Sequence, residues 1–177
     1  MSTLAHGDVL MSKLTQFHLG MIPDSQGRLI HEIWALDDFW LEYDHKYIQW
    51  LFPIDTQTKF NRHAPILTLE DRTTFAQSDK LKAAQLESLE LMLGFFGMKM
   101  VDGRIVAAEG LNIKDHIWLK HGGHNHLRIS RIIRSLALCG QVSLSQTFQL
   151  AMIETAEKFG EVGEDTLRYW LEANILE

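Results

Sequence analysis

Cysteine is nearly absent. Cys139 stands alone among 177 residues, so neither an intramolecular disulfide framework nor a cysteine-rich zinc module can form, and a reducing, cytoplasmic setting is the expectation. Proline is as scarce, at positions 23, 53 and 65, which leaves long stretches free of helix breakers. Basic residues are in deficit, 17 against 23 acidic, for a net charge of −6. That balance disfavours a protein that tracks phosphate backbones through bulk charge, and a nucleic-acid partner is not expected. No run approaches the roughly 20 apolar residues that cross a bilayer, since residues 86–100 are broken by Glu87, Glu90, Gly94 and Lys99. The opening residues, interrupted by His6, Asp8, Lys13 and His18, do not build the apolar core of a secretory signal. Familiar catalytic signatures are missing too: no G-x-x-x-x-G-K-[ST], no G-x-G-x-x-G after a strand, no G-x-S-x-G elbow and no H-E-x-x-H.

What remains is an ordinary globular composition, 46% hydrophobic and 23% charged, of a length suited to one domain. Period-3.6 patterning predicts a single compact all-α domain over residues 21–177, with residues 1–20 left without a clear assignment. Residues 29–52 run unbroken to Pro53 and read as one long helix, bent near its middle. Thr68 with Asp71 forms a shortened capping box, Ser78 caps a helix over 79–96, and Gly97 follows where a left-handed residue is wanted. Asp102-Gly103 carries the chemistry of a two-residue hairpin turn and is the one strand signal. Asn125 or His124 is placed to cap a helix over 126–138, ended by Gly140; Ser143 or Ser145 opens another to 159; Glu164 opens a last amphipathic one to about 176.

Two places hold candidate chemistry. On the long helix, Ile30, Trp34, Leu41, Ile48 and Phe52 fall on one stripe, and Asp37 and His45 continue it, with Asp44 at its border. A carboxylate and an imidazole turned inward need partners, either a structural network closed by an arginine from elsewhere or a functional site. The second place is the run from Lys120 to Arg134. His121, His124 and His126 match no standard metal-ligand spacing, so no metal and no other cofactor is expected. On the following helix Ile129, Ile132, Ile133 and Leu136 form the inward face, while Arg128 and Arg131 share a neighbouring side. With His124 and Asn125 at the helix start, the two guanidinium groups could hold a carboxylate or phosphate, or answer Asp37 and Asp44. Cys139 reads as a small hydrophobe, and Trp40, Trp50, Trp118, Trp170 and Phe95-Phe96 as mostly core.

His45-Lys46-Tyr47-Ile48-Gln49-Trp50-Leu51-Phe52-Pro53 closely resembles the HxYIQWLFP signature of the conserved domain of the opioid growth factor receptor family. The likeness continues through Asn61, Ala64-Pro65, Leu67-Thr68, the stretch from Leu91 to Gly97, and His124-Asn125-His126-Leu127-Arg128-Ile129-Ser130-Arg131, which is similar to the family's HNxLRITRIL block. The chain resembles the family's short stand-alone members. The resemblance implies a receptor-like, peptide-binding role and carries over no agreed catalytic residues. Its polar signature positions include His45, Gln49, Asn125, Arg128 and Arg131.

The leading expectation is therefore a non-enzymatic binding module with a groove between two helices, lined by Asp37, His45, Gln49, His124, Asn125, Arg128 and Arg131, for a peptide or a small anion. The alternatives are an enzyme in which Asp37 orients His45 as acid or base and Arg128 steadies an oxyanion, or a nucleotide or RNA-end binder using Arg128, Arg131 and Arg134.

Overall fold

Where a chain lacks proline, aspartate, serine and threonine can still divide it, and in the computed structural model they cap four of the described helices. The structure describes residues 11–58 and 61–176; the remainder of the expected N-terminal segment, before residue 11, lies outside them. Ser12 accepts the Thr15 N–H and opens α1 (Lys13–His18), a helix the sequence reading did not anticipate. Then come α2 (Ile30–Trp34), α3 (Asp38–Tyr43) and α4 (Tyr47–Leu51). These three replace the single long helix expected over residues 29–52. Asp37 is the first cause, since its Oδ1 accepts the Trp40 N–H at 3.1 Å and caps α3. Asp44 is the second: its Oδ1 accepts the Lys46 N–H at 2.7 Å, a local bond that competes with helix continuation. The apolar stripe survives the breaks, because Ile30, Leu41, Ile48 and Phe52 are all buried.

From Thr68 to Gly103 the local signals are obeyed. Thr68 and Asp71 exchange reciprocal bonds and open α5 (Leu69–Gln77); Ser78 caps α6 (Asp79–Phe96), closed by a left-handed Gly97. Strands β1 (Met98–Val101) and β2 (Arg104–Ala107) pair antiparallel across Asp102-Gly103, both at positive φ as a type I′ turn requires. A single 3-10 turn, Ile117–Leu119, leads to α7 (His126–Leu138). α8 (Val142–Phe159) starts from Gln141 and not from a serine: Ser145 points inward, its hydroxyl donating to the Ile133 carbonyl at 2.6 Å. α9 (Glu164–Glu172) ends earlier than the pattern implied.

α6, α7 and α8 enclose the main core, in which Met92, Phe96, Trp118, Ile129, Ile132, Phe148, Met152 and Trp170 are inaccessible or nearly so. Buried indoles keep their donors satisfied: Trp118 donates to the Phe96 carbonyl at 2.8 Å and Trp170 to the His126 carbonyl at 3.0 Å. α7 and α8 fold back on each other at Gly140, whose φ of +85° and a Cβ position 2.6 Å from the Ala76 side chain exclude any other residue without rearrangement. Trp40 departs from expectation, being half exposed on α3.

A smaller cluster under α1 and α5 contains Leu14, Leu67, Phe75, Leu81, Leu138 and Cys139. At its edge His18 is buried against Phe17 and Phe75, its Nε2–H donating to the Trp50 carbonyl at 2.7 Å while Nδ1 has no partner. Burial pushes this imidazole down from 6.5 to about 4. The unfolded chain then binds a proton that the folded one refuses, so stability is full above the ordinary histidine range and falls as pH drops towards the folded value. The decline from neutral pH to about pH 4 should reach roughly 3 kcal/mol. His18→Gln, which keeps a donor for Trp50, is expected to flatten it in urea titrations at successive pH values; an unchanged pH slope in the variant would assign the acid sensitivity elsewhere.

Candidate functional site

Arg128, Arg131 and Arg134 stand three residues apart along one side of α7, and each reaches across to the segment from 41 to 58. Arg128 is buried. Its Nη1 donates to the Leu41 carbonyl and, at 2.8 Å, to the Tyr47 hydroxyl; its Nη2 donates to the Asp44 carbonyl at 3.0 Å, the Glu42 carbonyl at 3.3 Å and the His45 Nδ1 at 3.3 Å. Leu41 and Glu42 belong to the last turn of α3, whose carbonyls have no further helical N–H to meet, so the planar guanidinium does what a continuing helix would have done. The Tyr47 hydroxyl in turn donates to the Leu41 carbonyl at 2.8 Å, and burial pushes its ionisation well above the ordinary range.

Arg131 follows the same logic one turn on. Its Nε donates to the Phe52 carbonyl at 2.8 Å, and its Nη atoms to the Thr58 hydroxyl at 3.1 Å and the Gln49 carbonyl at 3.3 Å. Every one of these acceptors is neutral, and desolvation pushes the guanidinium down to about 10. Arg134 differs, gripping the Asp55 carboxylate through two bonds of 3.0 Å. Burial alone would raise Asp55, but the Arg134 bonds and charge hold it below the usual carboxylate range.

The aspartates expected to meet these arginines have other partners. Asp37 is exposed and caps α3; it makes no bond to His45, which is also exposed and, among the described residues, hydrogen-bonds through its side chain to Arg128. Neither residue turns into the core, which corrects the stripe reading. The Asp37–His45 dyad of the enzyme alternative is therefore not assembled. Asp44 Oδ2 pairs with Arg28, whose guanidinium also holds the fully buried Asp24 carboxylate at 2.9 Å. Burial would raise the Asp44 carboxyl, yet the Lys46 N–H and the Arg28 guanidinium keep it lowered. Arg28, Asp24 and Asp55 were missed by the sequence reading. Only the turn-forming Asp24, which accepts the Gln26 and Arg28 N–H groups at 2.9 Å, left a local sign.

Two depressions flank the ladder. One, of about 780 Å³, takes in Trp40, Glu42, Tyr43, His45, Lys46 and His124. The other, of about 740 Å³, lies between α4, the 54–58 loop, α7 and α9, and holds Gln49, Thr58, Arg128, Arg131 and Arg134. The candidate residues are thus divided: Gln49, Arg128 and Arg131 share the second groove, while His45 and His124 share the first. Asn125 takes the residue before α7 in a left-handed conformation, φ 78°, without capping the helix; its amide instead donates to Glu42 Oε1 at 3.0 Å. His126 donates from Nε2 to the Trp118 carbonyl at 2.7 Å. Among the described residues no three His, Cys, Asp or Glu side chains converge as a metal-holding group, and no helix is long and apolar enough to cross a membrane.

The model of the opioid growth factor receptor conserved region matches residues 14–175, a span that includes the arginine ladder and every carbonyl it grips. The chain belongs to the opioid growth factor receptor family. It is similar to the mouse opioid growth factor receptor, 35% identical over 155 residues that cover 82% of this chain and 24% of that one. It is similar also to the rat opioid growth factor receptor-like protein 1, 35% identical over 133 residues, 72% of this chain and 28% of that one. The chain spans about a quarter of the length of these curated relatives. No solved structure matches it.

A ladder that serves neutral acceptors from a buried cation should be unequal along its length. Arg128→Ala is expected to destabilise by roughly 2–5 kcal/mol, because five acceptors lose a bond at once and, among the described residues, only the Leu41 carbonyl keeps another donor, the Tyr47 hydroxyl. Arg134→Ala, which breaks a partly exposed ion pair, should cost about 1 kcal/mol or less. Urea unfolding of the two variants decides this, and equal losses would contradict the assignment.

Proposed function

We propose that this family member is a non-enzymatic binding module, taking the carboxylate of a peptide or small ligand in the groove between α4 and α7. The observation that carries the proposal is Arg131: a cation drawn out of water onto the wall of a groove, with neutral acceptors and, among the described residues, no carboxylate of its own. Such a charge is already desolvated, so an arriving anion gains an electrostatic partner without that part of the desolvation cost. The groove also offers apolar wall, with Ile48, Ile54, Leu127 and Tyr169 along it and, among the described residues, the exposed Glu172 its one acid. The names of the mouse and rat relatives describe a receptor for a growth factor, which accords with a peptide ligand. The single buried thiol accords with a reducing, cytoplasmic setting.

The enzyme alternative loses its support because Asp37 and His45 stand apart. The nucleic-acid alternative loses one of its three arginines to Asp55.

The test uses N-acetylated apolar tripeptides with a free C-terminal carboxylate and the same peptides as amides, titrated into labelled protein. The carboxylates should shift the Arg131 side-chain and Thr58 resonances and bind about tenfold better than the amides, as befits one charge-assisted contact. Arg131→Gln, which can still donate to one carbonyl, should erase the difference. Equal binding of acid and amide, or shifts confined to other surfaces, would reject the reading, as would tighter, steeply salt-dependent binding of short RNA.

A further inference from the structure

α3 carries three large rings that the fold does not bury. Phe39, Trp40 and Tyr43 are 64%, 49% and 67% exposed, and they pack on one another instead of on the core. Phe39 and Tyr43 stack with centroids 5.9 Å apart, while Trp40 stands edge-on to both at 5.1 and 5.8 Å. Trp40 and Tyr43 also wall the depression of about 780 Å³ on the far side of the α3–α4 corner from the arginine groove. An exposed aromatic wall beside a cavity is a recognition feature whose chemistry depends on the charges around it.

On the α3 side those charges are negative. Asp37 and Asp38 begin α3 and Glu42 lies within the cavity, against Lys46 as the cation without a described ion-pair partner; Asp44 is already neutralised by Arg28. Glu42 is also held in place. Asn125 adopts a left-handed backbone and forgoes capping α7, and its amide fixes Glu42 Oε1 while Oε2 faces the cavity 3.8 Å from His124. A helix start that gives up its cap to steady a surface carboxylate beside two aromatic faces is an independent sign of a prepared site.

We infer that this cavity binds a cationic side chain, an arginine on a segment of a partner protein. A guanidinium can lie flat on Trp40 or Tyr43 while donating to Glu42, a combination that a plane of five donors allows and an ammonium does less well. Phe39 extends the apolar wall beyond the cavity, room for a neighbouring residue of the same segment. The chain's overall charge of −6 draws such a segment in. The site is separate from the α4–α7 groove and stands or falls without it.

The probe is an acetyl-Gly-Arg-Gly amide peptide, compared with the same peptide carrying neutral citrulline, titrated while the Trp40 indole N–H is followed by NMR. The arginine peptide should move Trp40 saturably and bind about tenfold better than the citrulline peptide, with lysine between them. Trp40→Ala should weaken binding about fivefold or more and Glu42→Gln about tenfold; both sites are exposed enough for the variants to fold. Added salt should weaken the arginine peptide and leave the citrulline peptide unaffected. Equal affinity for arginine and citrulline would overturn the assignment, as would insensitivity to Glu42→Gln. Trp40-dependent sedimentation with phosphatidylcholine vesicles, without preference for the arginine peptide, would overturn it in favour of a lipid surface.

Discussion

The Arg128 guanidinium is the contact on which the rest of the site depends. It is a buried cation that satisfies the carbonyls left open where α3 ends and the chain turns into α4. A helix end facing the interior must find donors or pay several kcal/mol. Here one side chain, projecting from a helix whose inner face is fully buried, meets three carbonyls, a phenol and an imidazole. Because α7 is anchored in the core by Ile129, Ile132 and Ile133, the arginines on its neighbouring face are held in place. The segment from 41 to 58, whose helical parts are only the end of α3 and the short α4, takes its shape from them. The two depressions lie on opposite sides of that imposed corner, so both owe their walls to it.

This arrangement accounts for a polar signature that holds two arginines and no acid. A lysine at 128 could not meet acceptors spread over residues 41–47, since its ammonium presents one compact point of donation. Carboxylates at the same place would neutralise the charge but could not serve carbonyls. The result leaves Arg131 desolvated and, among the described residues, without a carboxylate partner, while the acids of α3 collect on the other side of the corner, among exposed rings. The groove proposed for a carboxylate and the cavity proposed for an arginine thus lie on either side of one corner.

Much of the fold was legible in the sequence where signals are local. The bounds of α5, α6 and α7 and the hairpin follow from Thr68, Ser78, Gly97, Asp102-Gly103 and Gly140, residues whose conformational demands act within a few positions. The interruptions at Asp37 and Asp44 were hidden because three short helices preserved the spacing of Ile30, Leu41, Ile48 and Phe52 that one long helix would have. A capping carboxylate was thereby mistaken for a buried one. The burial of Arg128 could be argued from the inward isoleucines beside it, but its partners could not, since backbone carbonyls have no sequence signature. Arg28 with Asp44 and Arg134 with Asp55 bring together residues 16 and 79 positions apart, and only the folded chain shows who meets whom.

Amide hydrogen exchange in Arg128→Met and Arg131→Met tests the ladder most directly, because each variant keeps the apolar stem and removes only the donors. The account predicts that Arg128→Met exposes amides of residues 41–47 to faster exchange while those of α7 and α8 stay protected. Arg131→Met should act on residues 49–58 and leave the α3–α4 corner unchanged. Uniform loss of protection in both variants, or none at the corner in Arg128→Met, would contradict the claim that these guanidinium groups shape the site.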